Sequence, residues 1–338
     1  MKRCIFRTSL LLAILSIIIT GCTFDDDIEV LGKVPVKVSG TGISSLSAKF
    51  EWLQNNAENG KIYEIEVTGS NVEYISETLD YQGKNITLRI TGAGFPVNPS
   101  GDNPIFEVES GVTLVLDNIT LSSHWNFSDP DPANYANAPL VKVNYGGVLV
   151  INDGTVITHN FTNTDGGGVF VDRGTFIMNG GVISGNNAKN GGGVYVNGGK
   201  FIMNGGTICD NKAVTYIYGG FGGGVCVENG GNFSINANSI ISGNEAIHSG
   251  GGVYIFNSNF FKTGGNIYGD DAENNDDKNY VSGENSYGHA IWAQYSVMGE
   301  SYAVLEVRMR DDTAGRNEAL SLSLKGSIWS WEGNWEAP

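Results

Sequence analysis

The sequence predicts an all-β solenoid, a right-handed parallel β-helix with an N-terminal capping helix, and three observations carry that prediction. Glycine is abundant, 48 of 338 residues, yet follows no strict triplet, which excludes collagen. Glycine triplets head four similar units: GGGVFVDRGTFIMNGGVISGNNAKN from 166, GGGVYVNGGKFIMNGGTICDNKAV from 191, GGGVCVENGGNFSINANSIISGNEA from 222 and GGGVYIFNSNFFKTGGNIYGDDAEN from 250. Each unit holds three short alternating segments, such as GVYV, KFIM and GTIC, separated by Asn-Gly, Gly-Gly and Gly-Asn corners. A unit of about 25 residues cannot bury its apolar face alone. Stacking successive units about 4.8 Å apart pairs each strand in parallel with its equivalents above and below.

The elements follow in chain order. Residues 1–21 begin MKRCIFR and continue TSLLLAILSIIIT, a basic start and an apolar run too short to span a bilayer comfortably, which reads as a secretory signal. It ends ITGC, the form of a bacterial lipobox, so Cys22 is expected to be acylated and to tie the chain to a membrane. Residues 22–41, opening with TFDDDIEV, form an acidic tether. The remainder, 42–338, is expected to be one domain. Within it, Leu46, Phe50, Leu53 and Ala57 fall at i, i+4, i+7 and i+11, a helical face over 42–60 that Ser44 or Ser45 can cap. Such a helix would cover the first coil of a solenoid.

Residues 61–144 read as less regular coils, with strands at KIYEIEV, NITLRIT, PIFEVES and VTLVLDNITL and a surface excursion at 124–139. Residues 145–292 hold the glycine-rich coils, including degenerate copies at YGGVLVINDGTVITHN and GHAIWAQ. Triplet spacings of 25, 31 and 28 residues place the excess where VTYIYGGF and similar loops are inserted, and inserted loops at 213–221 and 270–287 are candidate contact surfaces. Residues 293–338 read as two strands and an aromatic closing segment, giving roughly ten coils in all.

Charge narrows the partners. The chain has 36 acidic and 20 basic residues, a net charge of −16, and signal cleavage would remove Lys2, Arg3 and Arg7. That balance argues against nucleic acid and anionic lipid surfaces, and disfavours polyanionic substrates such as pectate. No cofactor is implied. With Cys4 lost with the signal and Cys22 acylated, Cys209 and Cys226 remain and are expected to be free, packed thiols.

Two columns stand out along the coils. Asn160, Asn186, Asn211 and Asn244 recur after the third strand, where a stacked amide can bond its own turn and its neighbour's amide; the alternative is hydrogen bonding to sugars on a polar rim. The residue after the first strand's valine runs Leu149, Phe170, Tyr195, Cys226, Tyr254 and Trp292. Alternation points it away from the core valines, so it forms either an outward stripe suited to sugars or extended chains, or a self-stacking ladder under loops.

Catalytic signatures are fragmentary. Asn163-Thr164-Asp165, Gly269-Asp270-Asp271 and Gly288-His289-Ala290 echo polygalacturonase motifs, but Asp165 and Asp270 are 105 residues apart. That is about four coils, or roughly 19 Å along the axis, whereas inverting carboxylates need roughly 6.5–9.5 Å. Lys189, Lys200 and Lys212 lack an acidic cluster on the same coil, as a lyase base would require. Asp270, Asp271, Asp276 and Asp277 offer oxygen donors for Ca²⁺ without a loop-calcium spacing, so a solvated acidic loop is the better reading.

The unit GGGVYV followed by GTFIMNGGVISGNNA resembles the repeat of spirochaete-type (treponemal) surface lipoproteins with pectin-lyase-like architecture, and is similar to repeats of polymorphic outer-membrane proteins. ISSLSAKFEWLQNNAENGKIYEIEV and IFEVESGVTLVLDNITL resemble that lipoprotein family's leader, and GHAIWA, RDDTAG and a terminal Trp-Glu its closing segment. CDN at 209–211 and the 124–139 excursion depart from it. The resemblance implies display at the outer membrane or cell surface and adhesion to a host protein or carbohydrate, with no catalytic residue to transfer. A polysaccharide-active enzyme and a ligand-free structural coat are the alternatives.

Overall fold

The computed structural model describes residues 34–39, 45–68, 73–92, 96–123, 137–214, 219–269, 277–283 and 291–294, with backbone alone at 294, 320–325 and 328–332. The chain divides into two compact units, Met1–Val34 and Pro35–Pro338. The expected signal at 1–21, Cys22 and the acidic start of the tether lie outside the described residues.

The second unit is a parallel β-helix. Its helix spans Leu46–Asn56, and Ser45 caps it by accepting the Ala48 N–H on its hydroxyl at 3.2 Å. Leu46, Phe50 and Leu53 are its buried face. Phe50 meets Phe106 at 5.9 Å and Trp52 meets Tyr63 edge-on at 6.2 Å, so the helix seats on the apolar end of the first coils.

Three long sheets form the faces of the solenoid. In the coil headed by Gly191, the first face takes Val194–Asn197, the second Lys200–Met203 and the third Gly206–Cys209. A fourth segment follows in the glycine-rich coils, where Asn187–Ala188, Lys212–Ala213, Glu245–Ala246 and Tyr280–Val281 make a short sheet of their own. Each of these coils thus has four segments where alternation had shown three, because two-residue strands are too short to display a period.

Pairing stays in register throughout. On the first face Val141, Val169, Val194, Val225, Val253 and Ile291 are successive partners. The second face carries the core stack: Leu114, Leu149, Phe176, Phe201, Phe233 and Phe260 lie one above another. Phe176–Phe201 and Phe201–Phe233 are parallel at 4.7 and 4.8 Å, the spacing of the strands themselves. Among the described residues this face has eight parallel coil strands from Ile62–Val67 to Asn259–Lys262, fewer than the ten coils expected. It closes with an antiparallel hairpin, Leu320–Lys325 and Ile328–Glu332, laid on Asn259–Lys262.

The register corrects one alignment. YGGVLV looked like a degenerate head, but Val148–Ile151 pairs with Thr175–Met178 and so belongs to the second face. The first-face strand of that coil is Val141–Val143. The glycine pair at 146–147 is the corner between faces, equivalent to Arg173-Gly174 and Gly198-Gly199, with Gly146 at φ +75°. Leu149 is therefore core, and Lys142 takes its place in the outer column.

Candidate functional site

The glycine triplets have three different jobs. Gly191 holds φ +59°, and a Cβ there would meet the Tyr195 Cβ at 2.8 Å. At Gly192 a Cβ would lie 2.5 Å from the Gly223 carbonyl oxygen and 2.6 Å from Lys212 backbone, because stacked turns touch there. At Gly193 it would lie 3.0 Å from the Asn211 side-chain nitrogen. The triplet is a packing device and leaves no cradle for a phosphate.

The asparagine it faces belongs to a buried ladder. Asn186 donates both its N–H and its Nδ2 to Asn211 Oδ1 at 3.0 Å, and Asn211 does the same to Asn244. Asn160 joins at one end by its N–H to Asn186 Oδ1 at 3.2 Å. The other end runs on to Asn279, which accepts from the Asn244 N–H and Nδ2 at 2.9 and 2.8 Å. All five are fully buried, which removes them from contact with a sugar. Asn279 had escaped notice because the inserted 270–276 segment separates it from its third-face strand.

The aromatic column is also covered. Tyr195, Tyr254 and Trp292 are buried, and only Phe170 is half-buried. Tyr254 and Trp292 stack at 4.7 Å and 5°, and Phe170 meets Tyr195 at 5.4 Å. The gap left by the smaller Cys226 is flanked by Phe221, which reaches from the preceding connector to lie 4.7 Å from Tyr254. Of the two readings, the column follows the self-stacking ladder and not the outward stripe. The column does leave the central core, as alternation required, but makes a second apolar cluster with Phe170 and Phe256 of the strands and Phe221 of a connector.

Beside this column lies a group of titratable side chains that sequence reading had scattered. Glu228 ends a first-face strand, and its Oε2 accepts the Tyr195 hydroxyl at 2.6 Å. Asp165 sits in a connector, where Asn190 Nδ2 donates to it at 2.9 Å. Burial pushes both carboxyls above their ordinary values, against the lowering influence of Lys189. Burial also pushes the Tyr195 and Tyr254 hydroxyls and the Cys226 thiol upward, so all three stay neutral and unactivated. Lys189 and Lys212 do meet carboxylates, but across coils: Lys212 pairs with Glu245 at 2.8 Å. The signal for Asp165 was its place before Gly166, the position held by Asn190 and Ser249 in other coils.

Of the remaining candidates, Asp270, Asp271 and Asp276 lie outside the described residues, as do Gly288-His289-Ala290. Among the described residues no group of His, Cys, Asp and Glu could hold a metal ion. Cys226 is a buried free thiol. No protein-family model, curated protein or solved structure matches the chain.

Chain order groups four stretches of the sequence. Segments 124–136, 215–218, 270–276 and 284–290 all interrupt the path from a third-face strand to the next first-face strand. First-face pairing continues without a slip across each of them. In sequence they carry Trp125, Phe127, Tyr135, Tyr216, Tyr218 and Tyr287 among Asp, Asn and Ser.

Proposed function

We propose that this chain is a lipid-anchored surface scaffold whose inserted third-to-first-face connectors bind a host protein or a glycan. The observation that carries the reading is the placement of those insertions. In chain order four segments fall between third-face and first-face strands while the first-face register stays fixed. Rigid scaffold with variable loops is how binding surfaces are commonly built, and Tyr and Trp supply contact area at low entropic cost. The lipobox at Ile19-Thr20-Gly21-Cys22 supports the anchor, and the acidic balance disfavours nucleic acid. The buried column is support for these connectors and not the contact surface.

Two experiments test the reading. The full-length chain is screened on arrays of glycans and matrix proteins beside a variant in which 124–136 is replaced by a Gly-Ser linker. Binding that needs the segment supports the reading; identical binding profiles refute the assignment to it. Blocking lipoprotein signal cleavage with globomycin is expected to leave a larger precursor, and an unshifted band removes Cys22 as the anchor.

A further inference from the structure

One step of the outer column is built differently from its neighbours. Phe170, Tyr195, Cys226, Tyr254 and Trp292 are register partners in successive coils, so a ring stands at every step except Cys226. Tyr254 and Trp292 show what the spacing permits, with rings 4.7 Å apart and 5° from parallel. At about 4.8 Å per coil, Tyr195 and Tyr254 stand roughly 9.6 Å apart, which is room for one ring between them. The residue ahead of each glycine triplet lies beside the column: a Cβ on Gly222 would be 2.7 Å from the Cys226 Cβ, and one on Gly191 2.8 Å from the Tyr195 Cβ. That residue is Asp165 beside Phe170, Asn190 beside Tyr195 and Ser249 beside Tyr254, but Phe221 beside Cys226.

Phe221 thus stands in for the absent ring, and it does so imperfectly. Its ring is 4.7 Å from Tyr254 but tilted by 35°, meets His248 at 5.5 Å and stays half-buried. Its backbone is pinned: the N–H donates to Asn190 Oδ1 at 3.1 Å, and the carbonyl accepts the Gly191 N–H at 2.9 Å. The side chain is left to move, because Gly219-Gly220 before it and Gly222-Gly223-Gly224 after it carry no side chains to hold it. At the same step the Glu228 carboxyl accepts the Tyr195 hydroxyl at 2.6 Å and the Cys226 thiol. A carboxylate accepts at more than two positions, so Glu228 has acceptor capacity to spare.

We propose that the Cys226 step is a binding site for one planar aromatic group carrying an ammonium, with Tyr195 and Tyr254 as its walls, Glu228 as its acceptor and Phe221 as the ring that swings out to admit it. A guest can lie parallel to Tyr254, as Trp292 does in the next coil. The tyrosine faces and the Glu228 carboxyl favour a cation, and a net charge of −16 draws one to the chain. The site takes a small arylalkylamine, is separate from the surface the connectors offer a host protein or glycan, and does not depend on it.

Isothermal titration of the full-length chain in mild detergent with tryptamine tests the site, with 3-ethylindole, which lacks the ammonium, as control. The wild type should take up a single tryptamine. Phe221→Ala has no ring to displace and should bind it about tenfold more tightly, since no fraction of the chain is then closed to it. Phe221→Ser/Cys226→Tyr copies the Ser249 and Tyr254 pairing of the next coil, so it should keep its urea midpoint and bind none. The wild type should bind 3-ethylindole at least about tenfold more weakly than tryptamine, and Glu228→Gln should erase that preference. No saturable uptake by Phe221→Ala, or by Phe221→Leu should the alanine variant fail to fold, overturns the proposal. Unchanged affinity in a folded Phe221→Ser/Cys226→Tyr overturns it equally, and a preference for tryptamine that survives Glu228→Gln overturns the role of Glu228.

Discussion

Two asparagine ladders in this protein make the same amide contacts in different surroundings, and the difference fixes the size of a mutational effect. Asn211 is fully buried; its Nδ2 donates to Ile183 O at 2.9 Å and Cys209 O at 3.0 Å, and its Oδ1 receives the Asn186 N–H and Nδ2. Asn204 lies on an exposed corner; its Nδ2 donates to Asn179 Oδ1 at 3.0 Å, and its Oδ1 receives Asn236 Nδ2 at 2.7 Å. Replacing Asn211 by Ala strands the buried Asn186 N–H and takes one partner each from the Asn186 amide, which keeps Ile157 O, and from the Ile183 and Cys209 carbonyls, with no water to replace them. At about 1–3 kcal/mol for a buried donor left unmade, and with carbonyls more tolerant, the expected cost is about 3–5 kcal/mol. Asn204→Ala exchanges its bonds for water, and should cost about 0.5 kcal/mol. Urea midpoints of the two variants, with slopes checked for two-state behaviour, measure the difference. Equal losses would refute the argument that burial, and not ladder membership, sets the energy.

Other expectations can be checked in the same assay. Phe201→Ala opens the middle of the stacked core between Phe176 and Phe233 and should cost about 3–5 kcal/mol. Gly192→Ala drives a Cβ into neighbouring backbone and should cost about 3 kcal/mol, whereas Gly230→Ala meets nothing within 4 Å and pays only for its φ of +80°, about 1 kcal/mol. Burial pushes Glu245 up, but hydrogen bonds from Lys212 and Tyr280 and the lysine charge outweigh it, so its net value is lowered. Its contribution is therefore present above about pH 4.3, the ordinary glutamate value, and lost as pH falls through the lowered one. Lys212→Met should move the acid-unfolding midpoint to higher pH.

The solenoid was legible because its signals are local. Triplet spacing, alternation within KFIM and the turn pairs each need only a few residues, and the helix showed itself by Leu46, Phe50 and Leu53 together with Ser45. What failed depended on register. YGGVLV has the local form of a coil head, and only pairing with Thr175–Met178 reveals it as a second-face strand. The orientation of Tyr195 was readable from alternation, but its burial was not, since Phe170 and Glu228 reach it from other coils. Phe221 is the clearest case: three residues of glycine-rich loop separate it from any strand, yet it packs on Tyr254. Asp165 and Glu228 are 63 residues apart in sequence, yet the charge of the first acts on the second. Proximity at that range becomes visible only after the coils are stacked.

The central claim is that the inserted connectors bind while the solenoid merely holds them in place. Equilibrium titration of an array-identified ligand against the wild type and against a variant with 124–136 and 215–218 both replaced by Gly-Ser tests it most directly, with urea midpoints measured alongside. The account predicts at least a tenfold loss of affinity with an unchanged midpoint, and no new reducing ends or unsaturated products when the ligand is a polysaccharide. Unchanged affinity in the variant, or product release by the wild type, would contradict it.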